Sequence, residues 1–148
     1  MFRPLLMLMV FLAVFLAACS ADPQAPEMMT PLELVIEAND FSFSPAVIEV
    51  GAGQPVRLTL KNQGLLEHDW SVEHIAVTNV REHSAQSAGH GDQMHSMAAE
   101  PDLHVAAMPG ETGVVTFTVT EPGSYKVICT VAGHEEAGMV ATLVVSGP

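Results

Sequence analysis

Cys129, His134 and Met139 stand at five-residue intervals in one run, Cys129-Thr-Val-Ala-Gly-His134-Glu-Glu-Ala-Gly-Met139. A second imidazole, His68, lies far upstream at the mouth of an apolar segment. Thiolate and thioether are soft donors that favour Cu(I), and imidazole suits both oxidation states. Two His, one Cys and a weak axial Met make up the donor set of an electron-transfer copper site. If the four converge, the chemistry is passage of one electron at a time, with no bond made or broken by the protein.

Convergence is a demand on the elements that carry these side chains. From Leu32 onward the pattern is of short apolar segments broken by turn residues. Strands are expected over Leu32–Ala38, Ala46–Val50, Pro55–Lys61, His68–Ile75, Leu103–Met108, Gly113–Thr120, Tyr125–Cys129 and Met139–Val145. The clearest alternation sets Val56, Leu58 and Leu60 against Arg57, Thr59 and Lys61, the mark of a half-buried strand. No segment carries a helical period. Seven to eight strands with regular turns imply an all-β, two-sheet sandwich.

Side chains alternate faces along a strand. Tyr125, Val127 and Cys129 share a face, and Lys126 marks the other as the wet one. Cys129 therefore points inward at the end of its strand. His68 shares a face with Trp70 and Val72, which places it at the rim of the core. Both then lie at one end of the sandwich. His134 and Met139 follow from the next loop, where Gly133 and Gly138 permit sharp turns. Leu65, Leu66, Ala132 and Ala137 are expected to wall the site against water and to let a partner dock close. His134 is the expected exit for the electron.

Residues 78–102 break the pattern with a long insertion rich in Ser, Gly, His and Met. Two readings of it stand side by side. One is a solvated loop with incidental His content. The other is a secondary copper site on His90, Met94, His95 and Met97, which supports copper delivery or storage as a rival function.

Residues 1–18 join a positive Arg3 to an apolar run from Leu5 to Ala18. That run is short of the roughly 18 residues of a membrane span, so it reads as a signal peptide. Its end, Leu16-Ala-Ala-Cys19-Ser20, resembles a bacterial lipoprotein signal, which implies lipid on Cys19 and attachment of an exported protein to the cell envelope. Ser20 after that cysteine is compatible with the outer membrane. Residues 19–30 read as a flexible tether and residues 31–148 as the domain. With Cys19 lipidated, Cys129 has no disulfide partner, and metal ligation explains the lone thiol.

The formal net charge is −12, with 5 basic and 17 acidic residues. Phosphate binding needs a basic surface, so nucleic acid is not an expected partner. Acidity favours a basic protein partner through electrostatic steering, or serves solubility alone. Nothing in the pattern demands more than a monomer.

The Cys-x4-His-x4-Met loop, followed by Val140-Ala-Thr-Leu-Val-Val145 and preceded far upstream by Glu67-His68-Asp69-Trp70, resembles the blue copper proteins, or cupredoxins. Within them it looks most like the plastocyanin/azurin group, including the membrane-anchored auracyanins. The resemblance implies a Greek-key sandwich and one type 1 copper ion held by His68, Cys129, His134 and Met139. It implies a non-enzymatic electron carrier between redox proteins, such as a cytochrome and an oxidase or reductase. Most relatives carry Asn where this chain has Asp69. There the side chain ties the ligand loops together, so Asp69 is expected to bond Thr130 through its hydroxyl or N–H.

Other copper and thiol chemistries lack their residues. A binuclear copper domain needs a second Cys in the loop. A multicopper oxidase domain needs His beside the Cys, and Cys129 is flanked by Ile128 and Thr130. A thioether is a poor ligand for structural zinc. A cysteine hydrolase needs a base and an oxyanion hole beside an exposed thiol.

Overall fold

The computed structural model describes residues 29–83 and 100–147. Among the described residues ten strands follow one another: β1 (Leu32–Asn39), β2 (Ser42–Ser44), β3 (Val47–Gly51), β4 (Pro55–Asn62), β5 (His68–Val72), β6 (Val77–Glu82), β7 (Leu103–Ala107), β8 (Thr112–Val119), β9 (Gly123–Ile128) and β10 (Val140–Ser146). They form two five-stranded sheets, ordered β2-β1-β4-β8-β6 and β3-β10-β9-β5-β7. The chain passes repeatedly between the sheets, giving the expected all-β sandwich. Most pairs are antiparallel. The exceptions are β1 with β4, where Leu34 faces Leu58, and β10 with β3, where Leu143 faces Ile48.

Period-two alternation builds the core. Ile36, Leu58, Leu60, Val115 and Phe117 come from one sheet, and Trp70, Leu103, Val127 and Leu143 from the other; all nine are buried. Trp70 stacks on Phe117 across the interior. Burial on this scale is the main favourable term in folding, about 1.5–3 kcal/mol per large apolar side chain.

Eight strands fall where the sequence places them, within a residue or two at most ends. Three details differ. The His68 strand stops at Val72 rather than Ile75; Ile75 is buried from a turn, and its N–H donates to Asp102 Oδ2 at 3.0 Å. Ser42–Ser44 is a strand, held to β1 by three register pairs. Finally, the insertion does not begin at 78. Val77–Glu82 pairs with β8 as an edge strand, with a register shift between Thr78 and Arg81. Edge position explains why it shows no alternation: all of it but Val77 is exposed. Residues 1–28, with Cys19, lie outside the described residues, as do His90, Met94, His95 and Met97.

Candidate metal centre

The sheet β3-β10-β9-β5-β7 sets the site at one end. In β5 every residue is buried. His68 is its first residue and is fully inaccessible, covered by the 63–67 turn. That turn is tied down by Asn62, a buried amide. Its Nδ2 donates to Leu66 O at 2.7 Å and Ala107 O at 2.9 Å, while its Oδ1 accepts from Gly64 N–H at 2.8 Å.

β9 ends at Ile128, opposite Val140 of β10. Between them the chain makes an excursion that begins with Cys129 and ends with Met139. Its own backbone holds it in shape. His134 N–H donates to Val131 O at 3.0 Å, Ala137 N–H to Gly133 O at 3.1 Å, and Met139 N–H to His134 O at 2.9 Å. Cys129 N–H closes the mouth on Met139 O at 3.3 Å. Gly133 and Gly138 have φ of 85° and 99°, the left-handed conformation that the sequence leads one to expect there.

The donors converge. His68 Nδ1 and His134 Nδ1 are 3.2 Å apart, and His134 Nδ1 is 3.4 Å from Cys129 Sγ. One ligand atom from each of these three buried residues lies within 4.8 Å of the others. Two ring nitrogens facing each other leave two lone pairs and at most one shared proton. The edges match donors each about 2.0–2.3 Å from one shared ion, the range of metal–nitrogen and metal–thiolate bonds. Met139, fully buried, is pinned beside them through its N–H on His134 O and its carbonyl on Cys129 N–H. Imidazole, thiolate and thioether together fit copper in both oxidation states.

The surroundings set the electrostatics. Burial pushes the Cys129 thiol above its ordinary pKa, and the Asp69 carboxylate nearby adds to the rise. The Asp69 N–H, 3.5 Å from the sulfur, opposes it. Asp69 meets the expectation placed on it. Thr130 N–H donates to both its oxygens, at 2.9 and 3.1 Å, and Thr130 Oγ1 donates to Oδ2 at 2.8 Å. Ser71 Oγ donates to Oδ1 at 2.7 Å. On the surface, Lys126 pairs with Glu135, which raises the lysine's pKa and ties the loop to β9.

Sequence reading missed the β1–β2 turn. Phe41, at a left-handed φ of 64°, lays its ring edge-on over His134, with centroids 5.2 Å apart. Its neighbour Asp40 stands beside His68. No local signal in residues 39–41 indicates either contact; the sandwich alone brings this turn over the site. His134 therefore lies on an exposed loop but is itself buried at 5% accessibility. The apolar residues expected to wall the site, Leu65, Leu66, Ala132 and Ala137, are exposed around it instead.

Comparisons with known proteins agree with this geometry. The sequence model of the copper binding proteins, plastocyanin/azurin family, matches residues 31–146. The copper-resistant cuproprotein CopI of Rubrivivax gelatinosus is 33% identical over 112 residues, covering 75% of this chain and 64% of the relative. The chain thus matches just under two thirds of that protein's length. CopI of Pseudomonas aeruginosa is 29% identical over 145 residues, covering 82% of this chain and 79% of the relative. Among solved structures, auracyanin A of Chloroflexus aurantiacus, a blue copper protein, superposes with a TM-score of 0.57. Its identity is 26%, over 79% of this chain and 100% of that one.

Proposed function

Given that the chain belongs to the plastocyanin/azurin family of copper-binding proteins, with one type 1 copper ion as cofactor, we propose that it is a non-enzymatic one-electron carrier at the bacterial cell envelope. In this reading His68, Cys129, His134 and Met139 hold the ion. Bound copper supplies the one-electron couple. The protein supplies a fixed donor set, excludes water and presents a docking face.

The observation that carries the proposal is the position of the donors. They are buried, held by backbone hydrogen bonds of the ligand loop, and lie one loop beneath a surface of exposed apolar residues. A rigid, dry site changes little on gaining an electron. Leu65, at 83% accessibility, with Leu66, Ala132 and Ala137, allows a partner to approach His134 closely. The chain's net charge of −12 suits an electron partner with a basic face. Export and a lipid on Cys19 would confine the encounter to a membrane surface.

The test is an optical and spin-resonance spectrum of the copper-loaded protein, followed by rapid-mixing oxidation by a basic redox protein. An intense thiolate-to-copper band and a rate that falls with ionic strength are expected. Absence of the band overturns the site. A rate independent of salt overturns the basic partner.

Similarity to the two copper-resistant cuproproteins favours a second reading, copper binding in the service of copper tolerance. Extra labile Cu(I), lost on deleting residues 83–97 while the blue band persists, would support it.

A further inference from the structure

We infer that Asp40 is a positioning residue for the copper site: its carboxylate keeps the proton of His68 on Nε2 and so turns Nδ1 toward the ion. This rests on the reading of His68 as a ligand.

A neutral imidazole has one proton for two nitrogens. When Nδ1 gives its lone pair to a metal, the proton must sit on Nε2, and a buried N–H needs an acceptor. His68 Nε2 is buried and has no hydrogen-bond partner. Asp40 Oδ1 stands 3.5 Å from it, the charged group facing that nitrogen. A few tenths of an ångström complete the bond. The oxygen is not there by chance. Leu65 N–H donates to it at 3.0 Å, fixing it between the β1–β2 turn and the turn before β5.

Residue 64 makes the approach possible. A Cβ there would lie 2.5 Å from Asp40 Oδ1 and 2.7 Å from His68 Nε2. No side chain fits between two groups so close, and glycine leaves the space to the carboxylate and the imidazole. Asp40 is partly exposed and His68 wholly buried, so the pair also sets a negative charge at the outer edge of the site. Such a charge makes Nδ1 a stronger donor and favours the more positive ion, Cu(II) over Cu(I).

The experiment measures Cu(I) and Cu(II) affinity of the full-length protein by chelator competition, for the wild type, Asp40→Asn and Asp40→Ala. Long-range nitrogen NMR of the Cu(I) form gives the His68 tautomer. Asn keeps an acceptor oxygen without the charge, so Asp40→Asn should lower Cu(II) affinity while leaving Cu(I) affinity within twofold. Asp40→Ala should cost 10- to 100-fold in Cu(II) affinity, the range for removing a group that orients a ligand, with the thiolate band retained. The wild-type proton should be on Nε2. Unchanged affinities in Asp40→Ala, or equal losses for both ions accompanied by a lowered unfolding midpoint, would overturn the inference. A wild type without a thiolate band would instead overturn the ligand reading beneath it.

Discussion

Asp69 faces Thr130 where a backbone rung of the sheet would otherwise be. β5 and β9 pair only at Ser71 and Ile128. Continuing that antiparallel register sets Asp69 opposite Thr130, but no backbone pair forms there. The carboxylate fills the gap, taking the Thr130 N–H and hydroxyl on one side and the Ser71 hydroxyl on the other.

Replacing Asp69 by Ala should therefore destabilise the copper-free protein by about 2 kcal/mol, since the buried Ser71 hydroxyl and the partly buried Thr130 N–H and hydroxyl lose their acceptor. Urea unfolding measures it. Asp69→Asn keeps an acceptor and removes a charge 3.8 Å from the Cys129 sulfur. The oxidised ion loses a favourable interaction, so the midpoint potential should rise. An unchanged potential in a voltammogram would exclude a charge effect.

Cys129→Ser should abolish the thiolate band and leave a folded domain, because the loop is held by its own backbone bonds. Near- and far-ultraviolet circular dichroism, with the absorption spectrum, checks both halves.

The raised pKa of Cys129 predicts a pH dependence for the copper-free protein. The folded thiol ionises at higher pH than the unfolded one, whose ordinary value is about 8.5. Below that value both states hold the proton and the stabilisation is fully present. Above it the unfolded state loses its proton first, so stability falls as pH rises through the folded value. Urea midpoints should decline between pH 8 and 10 in the wild type and less so in Cys129→Ser.

Phe41→Ala should uncover the His134 ring. The cost to stability is modest, about 1 kcal/mol, because the Phe41 side chain is already partly exposed. Copper release to an excess of chelator should accelerate several-fold. An unaltered release rate would show that the ring does not guard the site.

Leu65→Ser should leave stability within about 0.5 kcal/mol, as for an exposed position. The thiolate band should not move. Oxidation by a basic redox protein should slow about tenfold, the effect of roughly 1.4 kcal/mol lost from an apolar docking contact. An undiminished rate would place the docking face elsewhere.

The sequence revealed features written locally and missed those made by tertiary contact. Val56, Leu58 and Leu60 announce their strand because one face is buried and the other wet. β6 gives no such signal, since Thr78 to Glu82 are exposed on both faces and the left-handed Asn79 interrupts the run. β2 is three residues long with Phe43 alone buried, below what periodicity resolves. At the site, Cys129, His134 and Met139 were legible because one loop carries all three. Asp69 was legible because it neighbours His68. Asp40 and Phe41 were not, because their contacts depend on how the β1–β2 turn sits over the finished sandwich. His134's burial was missed for the same reason, as it is Phe41 that covers it.

The Cys129–Met139 excursion leaves and re-enters the sheet at directly facing partners, Ile128 and Val140. Its length is therefore invisible to the framework: residues can be added or removed between those two points without shifting any strand against its neighbour. Three of the four donor side chains can thus be repositioned without disturbing the strand that carries the fourth, His68. The spectrum and driving force of such a protein can be retuned by editing a few loop codons, provided that His68 in β5 and the residues that hold it are kept.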